Sequence, residues 1–106
     1  MLTGTAVAAV AAELLVAFQP TTDGVTVVAE AEAAKAIDVT AEVLIQRSGS
    51  TGSTTSRQTV EVSLSPHHKQ VLARFSTNLP AGHTIEVSAT LRSDGRLLQE
   101  VTATYP

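Results

Sequence analysis

From Ile37 to Gln46 the chain reads IDVTAEVLIQ, so that Ile37, Val39, Ala41, Val43 and Ile45 alternate with Asp38, Thr40, Glu42, Leu44 and Gln46. Such a period of two fits a strand with one buried and one wet face, because a helix would scatter the same apolar residues around its circumference. The rhythm recurs. Val60, Val62 and Leu64 form one apolar row, and Ile85, Val87, Ala89 and Leu91 alternate with Glu86, Ser88, Thr90 and Arg92. Val and Thr together supply 28 positions, which is the chemistry of strands.

Turn residues divide the remainder. A first strand over about Leu14 to Gln19 stops at Pro20, followed by Thr21-Thr22-Asp23-Gly24, and a second runs over about Val25 to Glu32. Ser48 to Ser56 consists only of Ser, Gly and Thr, a composition that predicts a mobile, solvated connector. Ser65-Pro66 ends the fourth strand, a fifth covers about Gln70 to Thr77, and Asn78 to Gly82 forms a turn. Ser93-Asp94-Gly95 then closes a hairpin into a seventh strand, about Arg96 to Tyr105. Ala29 to Ala36 (AEAEAAKA) consists of good helix formers, yet eight residues barely sustain a helix and the alternation restarts at Ile37. Strand plus turn is the better reading. Seven short strands without interleaved helices predict an all-β, seven-stranded antiparallel immunoglobulin-like β-sandwich, with a closed barrel as the alternative.

The 106 residues suit one domain, assigned to residues 13–106. Leu2 to Ala12 (LTGTAVAAVAA) has the length of a signal-peptide apolar region and small-x-small patterns, although no Lys or Arg precedes Lys35. Residues 1–12 are therefore expected to be the remnant of an export signal or a disordered N-terminal segment, with an ordinary first strand or short helix as the competing reading. They are too short to span a bilayer, so no membrane insertion is expected.

Composition narrows the function. The aromatics are Phe18, Phe75 and Tyr105, too few for base-stacking platforms, and 7 Lys plus Arg against 10 Asp plus Glu provide no broad basic surface for a phosphate backbone. Nucleic acid is not an expected partner. The chain has no Cys, hence no disulfide, thiolate nucleophile or Cys-based metal site. His67-His68 follow Pro66 in an expected exposed turn, where adjacent side chains diverge rather than converge on a metal. His83 stands at the mouth of the next strand. No G-x-S-x-G, H-E-x-x-H or phosphate-loop motif occurs. Neither a cofactor nor a catalytic activity is expected.

The outward charges carry what remains. An outward charge usually confers only solubility, but in an immunoglobulin-like order the third, sixth and seventh strands share a sheet. Their outward positions include Asp38, Glu42, Glu86 and Arg92, with Glu100 as a further member. Arg47, Arg57, Lys69 and Arg74 arise on other strands or at strand ends, giving an alternative, basic face. Such a division would steer weak, salt-sensitive encounters with a charged, flexible partner.

Phe18 is followed by Thr21, Thr22 and Gly24, and an Arg47-x-Gly49-Ser50-x-Gly52 segment leads to Gln58 and Ser63-Leu64. Ser76-x-Asn78, Ser93-Asp94-Gly95 and the terminal Tyr105-Pro106 come after them. In this order the features resemble the CsgC family of periplasmic curli assembly proteins, and within it the cysteine-free CsgH branch. The resemblance implies an immunoglobulin-like sandwich in the periplasm that keeps disordered, amyloidogenic curli subunits soluble and opposes their nucleation. Some members carry Cys-x-Cys where this chain has Ile37-Asp38-Val39, so no thiol redox activity carries over. Thr40 and Glu86 stand where basic residues are expected in the enteric type. A structural or adhesive immunoglobulin-like module of the cell envelope is the alternative, for which a tandem repeat or an anchor would be expected. Nothing in the sequence calls for an obligate oligomer, so a monomer is expected.

Overall fold

The computed structural model describes residues 12–50 and 52–106. Seven strands follow one another: β1 (Ala12–Pro20), β2 (Gly24–Ala33), β3 (Ile37–Gly49), β4 (Gly52–Leu64), β5 (Gln70–Asn78), β6 (Thr84–Ser93) and β7 (Arg96–Tyr105). Residues 1–11, which carry most of the export-signal expectation, lie outside the described residues, and Ala12 opens β1 as a buried residue.

Two sheets form, β1-β2-β5 and β4-β3-β6-β7, with every pairing antiparallel. The fold is the immunoglobulin-like sandwich rather than the closed barrel. Between the sheets the period-two residues meet: Val25, Val27, Ala29 and Ala31 from β2 against Val39, Ala41, Val43 and Ile45 from β3 and Ile85, Val87, Ala89 and Leu91 from β6. Burying each of the larger aliphatic side chains stabilises the fold by roughly 1.5–3 kcal/mol. The helix-forming run of β2 is a strand because Ala29, Ala31 and Ala33 pack inward while Glu30 and Glu32 turn out.

The Ser/Gly/Thr segment departs from expectation. It is a paired hairpin, not a mobile connector: β3 continues to Gly49 and β4 starts at Gly52, with Ser48 opposite Ser53, Arg47 opposite Thr54 and Gln46 opposite Thr55. Its solvation agrees with the composition, since Ser53, Thr54 and Thr55 are exposed. Pairing wins because backbone hydrogen bonds do not require apolar side chains, Thr favours strands, and β6 supports β3 from its other side as far as Ser48 opposite Thr84. Gly49 also has a packing reason, because a Cβ there would lie 2.5 Å from the ring of the buried His83. At the other hairpin Asp94 and Gly95 both have positive φ, 52° and 75°, the two-residue turn whose twist matches the flanking strands.

One flank of the sandwich is closed. The β1 edge lies beside β7, where the Gln99 side chain accepts the Leu14 amide hydrogen and the Phe18 and Tyr105 rings stack at 5.2 Å. The opposite flank, between β4 and β5, has no such cover among the described residues. Along β4 the inward residues Ser56, Gln58, Val60 and Val62 remain half-buried, whereas Val39, Ala41, Val43 and Ile45 on adjacent β3 are fully buried.

Candidate functional site

The outer face of the four-stranded sheet is built by parity. Asp38, Thr40, Glu42, Leu44 and Gln46 project from β3, Glu86, Ser88, Thr90 and Arg92 from β6, and Glu100, Thr102 and Thr104 from β7. Register assembles them into cross-strand rows: Thr59, Glu42, Thr90 and Glu100 form one, and Thr55, Gln46, Glu86 and Thr104 another. Asp38, Glu42, Glu86, Arg92 and Glu100, named from the sequence, therefore share one face. Glu61 of β4 also belongs there, in a row with Thr40 and Arg92. The sequence reading omits it, although the inward positions of Val60 and Val62 place it outward.

The alternative basic face does not exist as a unit. Arg47 shares the inward parity of Val43 and Ile45, and its guanidinium donates to the Asn78 carbonyl of the other sheet at 3.0 Å. It fastens the two layers at the hairpin end. Arg57 lies on β4, on the acidic face itself, 4.0 Å from Glu42. Only Arg74 projects from the three-stranded sheet, and exposed Lys69 precedes β5; that sheet's outer face also bears Glu13, Glu30 and Glu32. The difference comes from sheet membership. Strand four pairs with strand three, so its charges join those of the third strand rather than opposing them.

Five carboxylates and two guanidinium groups, Arg57 and Arg92, stand among Ser and Thr hydroxyls on this broad face, which gives it an acidic bias. Asp38 is held in place: its carboxylate accepts the Ser63 hydroxyl at 2.6 Å and its carbonyl accepts that of Ser93 at 2.7 Å. At that end Asp38, Glu61, Ser63 and Asp94 bound a groove of about 490 Å³. Among the described residues no group of three or more His, Asp or Glu could hold a metal ion. His67 and His68 are exposed in the turn after Pro66, where the His67 amide donates to the Ala33 carbonyl. Chemically, such a face offers weak, screened attraction to positive charge and hydrogen bonds to polar chains, without a pocket deep enough to enclose a ligand.

The model of the family described as thin aggregative fimbriae synthesis protein, Tafi-CsgC, matches residues 5–102. The chain belongs to the CsgC family. Among solved structures, the E. coli curli protein CsgC superposes with a TM-score of 0.72 at 20% identity, over 90% of this chain and 98% of that one. R. palustris CsgH gives 0.68 at 8% identity, over 88% and 89%. A third match, with a TM-score of 0.57 and 19% identity, covers 86% of this chain but 15% of a Bacteroides fragilis chain described as a beta-galactosidase. No curated protein matches. The superpositions concern the fold, and the family assignment links this CsgC-family chain to curli assembly. The chain contains no cysteine, in keeping with the cysteine-free branch that its sequence resembles.

Proposed function

We propose that the protein is a periplasmic, chaperone-like inhibitor of curli subunit amyloid formation, which holds disordered subunits in a soluble, secretion-competent state. The observation that carries this reading is the acidic, hydroxyl-rich outer face of the four-stranded sheet on a member of a curli-assembly family. A rigid face of this kind attracts positively charged segments of a flexible chain and releases them quickly. Brief occupation is enough. Amyloid nucleation requires several chains to align their backbones in register, so interrupting that alignment suppresses it without a tight complex.

The test is a thioflavin-T time course of a purified curli subunit with substoichiometric amounts of this protein, at low and high salt. The expected result is a lengthened lag that shortens as salt screens the exposed charges beyond a Debye length of about 8–10 Å. No lengthening at any ratio would overturn the proposal and favour a structural or adhesive envelope module. A lengthened lag that is indifferent to salt would retain inhibition but reject charge guidance in favour of strand addition at an edge.

A further inference from the structure

Each sheet of a sandwich ends in two edges, and natural proteins usually blunt them with bulges, prolines or covering side chains. Three of the four edges here are treated in this way. β1 ends in Pro20 and has its Leu14 amide occupied by Gln99. β5 pairs with β2 through a register shift that leaves Leu72 as the extra residue, and β7 pairs with β6 through a shift at Leu98. Among the described residues β4 has none of these devices. Its 13 residues pair with β3 in unbroken register from Gly52 to Leu64, contain no proline, and carry two charges, Arg57 and Glu61.

Those two charges are four residues apart and both point outward. In an antiparallel pair, residues directly opposite lie on the same face, so a strand meeting a second copy of itself about a two-fold axis at residue k sets k − n opposite k + n. With the axis at Thr59, Arg57 of each copy stands opposite Glu61 of the other. Thr55 then meets Ser63, and on the inner face Gln58 meets Val60 and Ser56 meets Val62. Axes at neighbouring positions lose this match: at Gln58 or Val60 neither charge faces another, at Arg57 or Glu61 like charges coincide.

The geometry points to the β4 edge as a self-recognition surface that pairs with β4 of a second copy, antiparallel and centred on Thr59, to form one continuous eight-stranded sheet. Glu61 faces Thr40 across its own sheet, and Arg57 reaches Glu42. Arg57 is 64% exposed in its side chain and carries five N–H donors, enough to keep Glu42 while receiving Glu61 from the other copy. Eleven paired residues span about 37 Å of strand, and a single strand from each copy makes a narrow contact at the low end of interface sizes, so the pair is weak and reversible. Self-pairing uses the backbone edge of β4, but its charge match shares Arg57 and Glu61 with the outer face of the same sheet.

Sedimentation velocity and amide NMR relaxation across a concentration series test it. The wild-type rotational correlation time should climb towards double the monomer value, with concentration-dependent amide broadening concentrated at residues 54–64. Arg57→Glu alone and Glu61→Arg alone should each abolish the rise. Their equimolar mixture should restore it, because positions 57 and 61 are then both acidic in one variant and both arginine in the other. A wild-type protein that stays monomeric throughout, broadening outside β4, single variants that associate like the wild type, or a mixture that stays monomeric would each overturn the proposal. The wild-type broadening map is decisive even if a variant folds poorly.

Discussion

The two outer faces of the sandwich cover the same small aliphatic core but differ in kind. On the four-stranded sheet, rows of Ser and Thr separate carboxylates, and apolar side chains are confined to Leu44 and the end of β7. On the three-stranded sheet Glu30 sits in a row between Leu15 and Val71, which are 52% and 42% exposed, and Ala17, Val28 and Arg74 form the next row. The first face suits reversible, charge-guided contact, because it offers little apolar area to bury. The second is narrower and mixes apolar area with both signs of charge. A protein that must touch an aggregation-prone chain without retaining it gains from the first kind of surface.

The most drastic way to break this contrast is to remove the ground beneath both faces. Ile85 is fully buried between the sheets, so Ile85→Asp should cost about 4 kcal/mol or more and abolish the cooperative thermal transition by circular dichroism. A melt at the wild-type temperature would contradict the register of β6. Next in size is a comparison of two multiple variants. Reversing Asp38, Glu42, Glu86 and Glu100 to Lys should return the curli-subunit lag to its uninhibited length while folding persists. Reversing Glu13, Glu30 and Glu32 to Lys should leave inhibition intact. Equal effects of the two sets would show that net charge, rather than one face, is responsible. The smallest effect belongs to Arg47, whose bond to the Asn78 carbonyl is structural: Arg47→Ala should lower stability by about 1–2 kcal/mol in a denaturant titration and leave the lag unchanged.

Much of the fold is readable because half-buried strands write their geometry into alternation. Ile37 to Gln46 and Ile85 to Arg92 announce which side chains face in, and Asp94-Gly95 announces a turn that needs two positive φ values. Sequence and structure part where local composition and long-range pairing disagree. Ser48 to Ser56 has the composition of a linker, but Ser48 and Gly49 continue β3 and Gly52 to Ser56 pair with β3 as the start of β4, a fact no window of sequence contains. Arg47 has the residue type of a surface charge although it continues the inward parity of Ile45; a charge on an apolar row is itself the signal of a contact between layers. Arg57 cannot be assigned to a face until the partner of β4 is known. For the acidic face the residues are legible one by one, while their assembly into cross-strand rows requires the register.

The unequal edges of the four-stranded sheet have a consequence best expressed in the language of polymer chemistry. A building block with two reactive ends propagates, whereas a block with one can only terminate. With a bulge at Leu98 and β1 fastened alongside through Gln99 and the Phe18–Tyr105 stack, the β7 end is protected, and among the described residues β4 is the edge of this sheet left without such protection. In the proposed pair each copy is thus monofunctional: two sheets joined through β4 present only their β7 ends, and growth stops at eight strands.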